Sequence, residues 1–421
     1  MTTRYQKPKG TRDFYPEEMQ ARKKVFETIK EITSKYGFSE VEAPAIEDFE
    51  LIKAKSGEEI RQQMFMLEKK GNEQLALRAE LTPSLARMFI EKQKELQKPV
   101  KWFALSRMWR YEAPQKGRLR EFYQTSVELF GSDKANADAE CISMAVDFLI
   151  SLGLTDKDFF VKINNRKLLQ GILDGAGIKD VEETLRIIDK AEKLTKEEFE
   201  QELKKIKLNE KQAKTIKKII TTNELKTIDE EELNEEAKQG LSELKEVMKL
   251  LKHYGKDKYV RFNLSVARGL SYYTGTVYEC FNHDESLRAI FGGGRYDNMV
   301  EQFGGDKCAA TGFAMGDVTL QLLLEQKGKW PIQEKTVDYY IAPVNENVRK
   351  EAIEIACKLR KNNIVEIDLM QRKLGKQLEY AASIGAKHII IVGDEELKND
   401  EAIMRDMQTG KEKRIKISEL N

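Results

Sequence analysis

The sequence has no apolar run approaching the roughly 18 residues that a membrane-spanning helix needs, although 40% of its 421 residues are hydrophobic. It reads as a soluble globular chain with no membrane partner. Its first residues, Met1-Thr-Thr-Arg-Tyr-Gln-Lys-Pro8, lack the apolar segment of a secretion signal, so the cytoplasm is the expected location. Cysteine is scarce: Cys141, Cys280, Cys308 and Cys357 form no C-x-x-C pair and have only three histidines to assist them. That disfavours a zinc site or a disulfide framework, identifies no protein metal site, and leaves the four thiols as reduced core residues. No Gly-Lys-Ser or Gly-Lys-Thr occurs, which excludes a P-loop, and no G-x-G-x-x-G opens a helix. A bound nucleotide must be held another way. There is no excess of charge either, with 72 Lys and Arg against 71 Asp and Glu for a formal +1. Contact with nucleic acid therefore has to come from a local cluster.

At about 100 to 200 residues per domain, the length predicts two or three domains. From Glu17 to Tyr36 the apolar Met19, Val25, Phe26, Ile29, Ile32 and Tyr36 recur at helical spacing, and Gly37 stands where a helix end takes a left-handed residue. Phe38 to Ala43 reads as a strand, closed by Pro44, which has no N–H to continue a central ladder. Residues 181–250 hold 15 basic and 18 acidic side chains, no proline, and Phe199 as their one aromatic. This predicts an insertion of charged helices at about 175–250, either a solvated face or a binding surface. Strand-like sequence resumes at Tyr259 and runs to about Leu324. A polar stretch around Trp330-Pro331, residues 326–335, reads as a linker. Beyond it, strand-like Val337–Ala342, Ile364–Leu369 and His388–Val392 alternate with helical Val348–Lys361 and Leu374–Ile384. That pattern predicts a small α/β domain at 336–421 with a partly parallel sheet, and Gln408-Thr409-Gly410 centres a further hairpin.

Two strands, Lys101–Glu112 and Phe122–Phe130, carry the most information. Alternation places Arg110 and Glu112 on one face with Phe122, Gln124, Ser126 and Glu128. Phe103, Leu105, Trp109, Tyr111, Val127 and Leu129 occupy the face expected to meet the core. A polar sheet face is either solvated or lines a site. Arg107, Arg110, Lys116, Arg118 and Arg120 form the densest basic cluster near any strand, suited to phosphate or an RNA backbone. At Leu75–Ile90 a strand meets a helix predicted to be capped by Thr82 with Pro83 at its first position, so Glu80 and Thr82 sit at a corner that can face a cleft. Arg268-Gly-Leu-Ser-Tyr-Tyr-Thr-Gly-Thr-Val-Tyr-Glu279 is, by composition, an ordinary aromatic strand. The three glycines of Phe291-Gly-Gly-Gly-Arg-Tyr-Asp297 weaken a strand unless a ligand or another chain must approach the backbone. A third glycine-rich stretch, Thr311–Leu320, reads as strand then helix.

These stretches resemble the histidyl-tRNA synthetases, a class II aminoacyl-tRNA synthetase family. Lys9-Gly-Thr-Arg-Asp-Phe-Tyr-Pro16 is similar to the family's opening signature, and the first helix, strand and Pro44 resemble motif 1, which builds the dimer interface in that class. Leu77-Arg-Ala-Glu-Leu-Thr-Pro83 resembles its amino-acid-binding corner, and Arg110–Phe122 its motif 2. Arg268–Tyr273 and Gly292–Asp297 are similar to two stretches peculiar to the histidine enzymes.

The resemblance implies an α+β fold, with a class II antiparallel sheet flanked by helices in a catalytic domain at 1–325. The charged helices would be its helical insertion, and 336–421 its anticodon-binding domain. It also implies a homodimer that activates histidine with ATP and Mg²⁺ and then charges tRNA(His). By carry-over, Arg110 and Arg268 are the catalytic candidates, Arg110 on the ATP α-phosphate and Arg268 on the histidine carboxylate and the developing charge. Glu112 would meet the adenine amino edge, Phe122 would stack on the base, and Arg118 would lie near the nucleotide. Glu80 and Thr82 would hold the histidine ammonium with Gln124 nearby. Glu128 and Tyr273, with Tyr272 beside them, would meet the imidazole. Gln115, Arg118 and Arg120 would face the tRNA acceptor end.

Three departures from the family pattern stand out. Motif 3 usually ends Gly-hydrophobic-Glu-Arg, with the arginine on the γ-phosphate, but here it reads Gly316-Asp-Val-Thr319. Either another basic residue replaces it, with Arg118 and Arg295 as the candidates, or ATP use is impaired. Ser271 stands in place of a common aspartate and Ala113 in place of a second motif 2 arginine. A synthetase-like regulatory subunit of histidine biosynthesis, which charges no tRNA, is the alternative; the missing arginine favours it, and the C-terminal α/β domain and the retained histidine-specific stretches oppose it.

Overall fold

The computed structural model describes residues 5–69, 71–191, 194–206, 208–267, 272–332 and 337–420. The chain divides into two compact units, Met1–Asp13 with Arg22–Pro331, and Phe14–Ala21 with Ile332–Asn421.

Helix α1 (Pro16–Lys35) turns Val25, Ile29 and Ile32 into the main core and stops at Gly37, whose φ of 76° suits glycine alone. The chain passes through β1 (Ser39–Glu40), β2 (Ile46–Asp48), α2 (Phe49–Ser56), β3 (Leu75–Leu77) and α3 (Thr82–Lys92) into a long hairpin, β4 (Val100–Trp109) and β5 (Glu121–Phe130). The strand expected over Phe38–Ala43 shrinks to β1, because Glu42 leaves the ladder to meet Arg78 at 2.9 Å and the Ser106 hydroxyl at 3.0 Å. Next come α4 (Ala135–Ser151), β6 (Phe159–Asn165) and α5 (Arg166–Gly175), then α6 (Val181–Lys190), α7 (Lys196–Lys205), α8 (Glu210–Thr221) and α9 (Glu235–His253). The insertion helices are charged outside and apolar within: Leu185, Ile188, Phe199, Leu203, Ile216 and Ile219 are all buried. Reciprocal capping boxes at Thr195/Glu198 and Asn209/Gln212 start α7 and α8, satisfying N–H groups that a helix leaves open. The unit closes with β7 (Val260–Phe262), β8 (Thr276–Asn282), β9 (Phe291–Arg295), α10 (Met299–Gln302), β10 (Ala310–Gly316) and α11 (Asp317–Gln326).

Among the described residues the sheet order is β1-β4-β5-β10-β9-β8-β6-β7, antiparallel from β4 to β6 with a parallel strand at each edge. One face packs on the main core through Phe103, Val127, Leu129, Phe291, Phe313 and Met315. The hairpin corrects the sequence reading in two places. Trp109 is only half-buried, with its indole N–H on Glu121 at 3.0 Å, and Tyr111 is 52% exposed. Strand β4 ends at Trp109, so Tyr111, Arg110 and Glu112 belong to the connecting loop, where alternation no longer assigns a face. Thr82 is likewise the first residue of α3, not its cap; Leu81 holds that position without a side-chain bond. Three cysteines are buried as expected, but Cys357 is exposed, on the outer side of its helix.

The second unit carries β11 (Val337–Pro343), α12 (Arg349–Leu359), β12 (Val365–Ile367), α13 (Leu374–Ser383), β13 (Ala386–Val392), α14 (Asp394–Leu397), β14 (Glu401–Asp406) and β15 (Glu412–Lys416). Its sheet runs β12-β11-β13-β14-β15, parallel through the first three and antiparallel after, with Gly410 at φ 70° in the hairpin turn.

Candidate active site

The second face of the large sheet is polar yet buried. Gln124, Ser126 and Glu128 are 5%, 0% and 2% exposed, so the face is not solvated. Register aligns Glu128 with Gly312, Gly312 with Gly294, and Gly294 with Val277 across four strands. A methyl group on Gly312 would collide with the Val127 carbonyl and the Glu128 carboxylate; one on Gly294 would come 2.9 Å from the Tyr273 ring. The two glycines therefore make room for those side chains. Neighbouring strands lie about 4.8 Å apart, so carboxylate and phenol stand over adjacent positions of one floor.

Glu128 is the electrostatic centre of this end. The Tyr296 hydroxyl donates to it, and Thr82 hydrogen-bonds to it. Burial pushes its carboxyl up to about 8; the Thr82 bond and Lys55 pull the other way, and Glu80 adds to the rise. Lys55 pairs with Glu80, with its side chain 3% exposed, and its ammonium lies 4.5 Å from the Tyr272 ring centre. The Tyr272 and Tyr273 rings are 4.3 Å apart, and the Tyr272 and Tyr296 rings 6.0 Å. Gln124 donates to Ser126 at 3.0 Å. Glu80, Thr82, Glu128, Tyr272 and Tyr273 thus gather around one buried carboxyl, with Gln124 further along the same strand face.

The hairpin loop supplies the opposite end. Arg110 donates through Nε to the Ala79 carbonyl at 2.9 Å, and its guanidinium sits 5.1 Å from the Phe122 ring centre. Arg118 donates to Glu112 at 2.7 Å. Gln115 and Arg118 exchange backbone bonds at 3.0 and 2.8 Å around Gly117, whose φ is 77°. Arg120 donates to the Glu112 carbonyl at 3.1 Å and lies over Tyr111, with its backbone N–H on Gly10 at 2.8 Å. Arg12 meets Asp317 at 2.6 Å, and Asp317 also accepts the Tyr123 N–H at 2.8 Å, so the N-terminal segment braces the start of α11 against the hairpin.

Arg268 and Ser271 lie outside the described residues. Arg295 is corrected as a candidate for the missing motif 3 arginine. It projects from the core face of β9, 5% exposed, donating to Asp138 at 2.8 and 3.0 Å and to the Ser132 and Lys134 carbonyls. A guanidinium so fully engaged on the wrong face has no donor left for a nucleotide. Sequence reasoning missed Lys55 and Tyr296. Tyr296 belongs to the glycine-rich segment already singled out, two residues beyond the site-facing Gly294; nothing in the sequence around Lys55 marks it.

A family model of histidyl-tRNA synthetase matches residues 10–319, and one of an anticodon binding domain matches residues 338–421. The histidine–tRNA ligase of Haloarcula marismortui is 42% identical over 98% of this chain and 96% of its own. That of Natronomonas pharaonis is 40% identical over 97% and 95%. The crystal structure of histidyl-tRNA synthetase from Nostoc sp. PCC 7120 superimposes with a TM-score of 0.81 at 26% identity, covering 100% of this chain and 99% of the other. By sequence along nearly its whole length and by fold, this chain belongs to the histidyl-tRNA synthetase family.

Proposed function

We propose that the chain is a histidine–tRNA ligase whose polar sheet face is its catalytic floor. In the first step the histidine carboxylate oxygen attacks the ATP α-phosphorus, the bond to the bridging oxygen breaks, and pyrophosphate leaves. In the second, the terminal ribose hydroxyl of tRNA(His) takes the histidyl group and AMP departs. The protein's share is to position the reactants and to offset charge with fixed donors.

The observation that carries this reading is the placement of Glu128 and Tyr273 over adjacent glycines, at one end of a floor whose other end holds Arg110 and Arg118. A carboxyl and a phenol over neighbouring strands of one floor suit the two nitrogens of an imidazole. A site lined by buried hydrogen-bond partners rejects amino acids that leave them unpaired, by roughly 10⁴ in favourable cases. Glu80 and Thr82 would take the ammonium, with Gln124 and Tyr272 flanking the bound amino acid. Arg110 would bind the α-phosphate, Glu112 and Phe122 the adenine, and Arg268 the histidine carboxylate. Gln115, Arg118 and Arg120 would meet the acceptor end of the tRNA, with Arg118 also near ATP.

Among the described residues no group of three or more His, Cys, Asp or Glu could hold a metal ion alone. Mg²⁺ commonly binds through substrate phosphates with few protein ligands, which fits an ion arriving on ATP. When bound it would neutralise phosphate charge. We read 1–325 as the catalytic domain, interrupted by the insertion at about 175–250, and 336–421 as an anticodon-binding domain that would dock the tRNA. A homodimer in the cytoplasm is the matching assembly, supported by the motif 1 resemblance. The test is aminoacylation of total tRNA with each amino acid in turn, with ATP and Mg²⁺: charging with histidine alone is expected, and charging with none or with another amino acid contradicts the reading.

A further inference from the structure

The register of the sheet brings three segments to one end. Gly316 pairs with Gln124 near the start of β5, and Met315 pairs with Phe291 at the start of β9. The β4–β5 loop, the first turn of α11 and the β8–β9 loop of residues 283–290 therefore share one rim. At the tip of the β4–β5 loop, the point where Gly117 would carry a Cβ lies 3.6 Å from Thr319 Oγ1 and 3.8 Å from Arg288 Cδ. Thr319 is the position at which motif 3 ordinarily supplies an arginine, and here it is a short neutral side chain, 5% exposed. Arg288, an exposed residue of the β8–β9 loop, reaches the same spot from the neighbouring strand pair.

We propose that Arg288 binds the β- and γ-phosphates of ATP, and then the departing pyrophosphate, in place of the motif 3 arginine that this chain lacks. This rests on the reading of the site as one that activates histidine with ATP. Three features support it beyond proximity. The nearby carboxylates are already engaged, Glu112 by Arg118 and Asp317 by Arg12 and the Tyr123 N–H. No ion pair of Arg288 occurs among the described residues. Arg118 is held below the usual arginine range, first by burial and then by the positive charges of Arg288 and Arg110. The positive charge of Arg288 acts on Arg118, a repulsion that a bound polyanion would relieve, and a fork of N–H donors suits phosphate oxygens.

The chemistry separates this role from those of Arg110 and Arg118. As the bond from the α-phosphorus to the bridging oxygen breaks, negative charge builds on the leaving pyrophosphate. A cation on the β- and γ-phosphates therefore affects ATP and pyrophosphate but neither histidine nor tRNA.

The test is Arg288→Ala beside Arg288→Lys in the full chain, by histidine-dependent exchange of pyrophosphate into ATP and by transfer of histidine from preformed adenylate to tRNA. Arg288→Ala is expected to lose about tenfold or more in kcat/KM for ATP, from the loss of a charge-assisted bond, and to raise KM for pyrophosphate. KM for histidine and the transfer rate stay within twofold, and Arg288→Lys falls between the two. Unchanged kinetics toward ATP and pyrophosphate in Arg288→Ala would overturn the proposal, as would an equal loss in the transfer step. Absence of histidine-dependent exchange in the unmodified protein would instead sink the functional reading itself.

Discussion

The Tyr296 hydroxyl donates to the Glu128 carboxyl across 168 residues of sequence, joining the residue after β9 to the last third of β5 beneath the candidate histidine pocket. This contact fixes the carboxyl that the account places on the imidazole. A hydrogen bond to a carboxyl that burial keeps largely protonated contributes about 0.5 to 1.5 kcal/mol. Tyr296→Phe is therefore expected to raise the histidine KM by roughly two- to tenfold while leaving the ATP KM unchanged, as read by pyrophosphate exchange at varied concentrations of each substrate.

Glu128 also makes stability depend on pH. Its carboxyl titrates at about 8 in the folded protein against an ordinary value of 4.5, because burial disfavours the charge. Folding thus favours the protonated form. Its stabilising contribution is whole below the unfolded value and is lost as pH rises through about 8. Glu128→Gln carries no such titration, so melting curves should show the variant gaining on the native protein between about pH 5 and pH 8.5. A constant difference across that range would contradict the assignment.

Gly312 is expected to tolerate no side chain, since a Cβ there meets both the Val127 carbonyl and Glu128. Neither neighbour can move freely, one being ladder backbone and the other a buried carboxyl. Gly312→Ala should lower the melting temperature and abolish histidine-dependent exchange. Gly316→Ala, in the same strand with nothing within 4 Å of its Cβ, should lose far less stability.

Arg295 and Asp138 form a buried pair with side chains 6% and 4% exposed. Removing one partner strands the other's charge, which costs about 3 to 5 kcal/mol. Asp138→Asn is accordingly expected to fall in urea denaturation by an amount of that order, with the ATP KM of the remaining folded enzyme unchanged. A raised ATP KM without loss of stability would return Arg295 to the nucleotide site.

Much of this was legible from periodicity. Helix α1 and its stop at Gly37, the β4–β5 hairpin and the alternating C-terminal unit all follow from local rules that the tertiary structure respects. The site was legible where its residues lie on a regular strand: Gln124, Ser126 and Glu128 share a face because strand side chains alternate. It failed where the strand ended sooner than the pattern suggested, so Tyr111 was sent to a core it never enters. Thr82 was misread because its hydroxyl turns toward Glu128 instead of its own helix. Lys55 and Arg288 were invisible because their neighbours come from distant segments: the Glu80 pair and the Tyr272 ring disclose Lys55, and register with the gap at Gly117 discloses Arg288. Arg295 misled for the converse reason: a basic residue in a glycine-rich motif suggests phosphate, but its odd position in β9 points it into the core.

The most direct measurement is pyrophosphate exchange by Glu128→Gln as a function of histidine. The account predicts a steep loss of histidine dependence with the ATP KM near its native value. Wild-type histidine dependence in that variant would mean that Glu128 does not read the imidazole, and the central claim would fall.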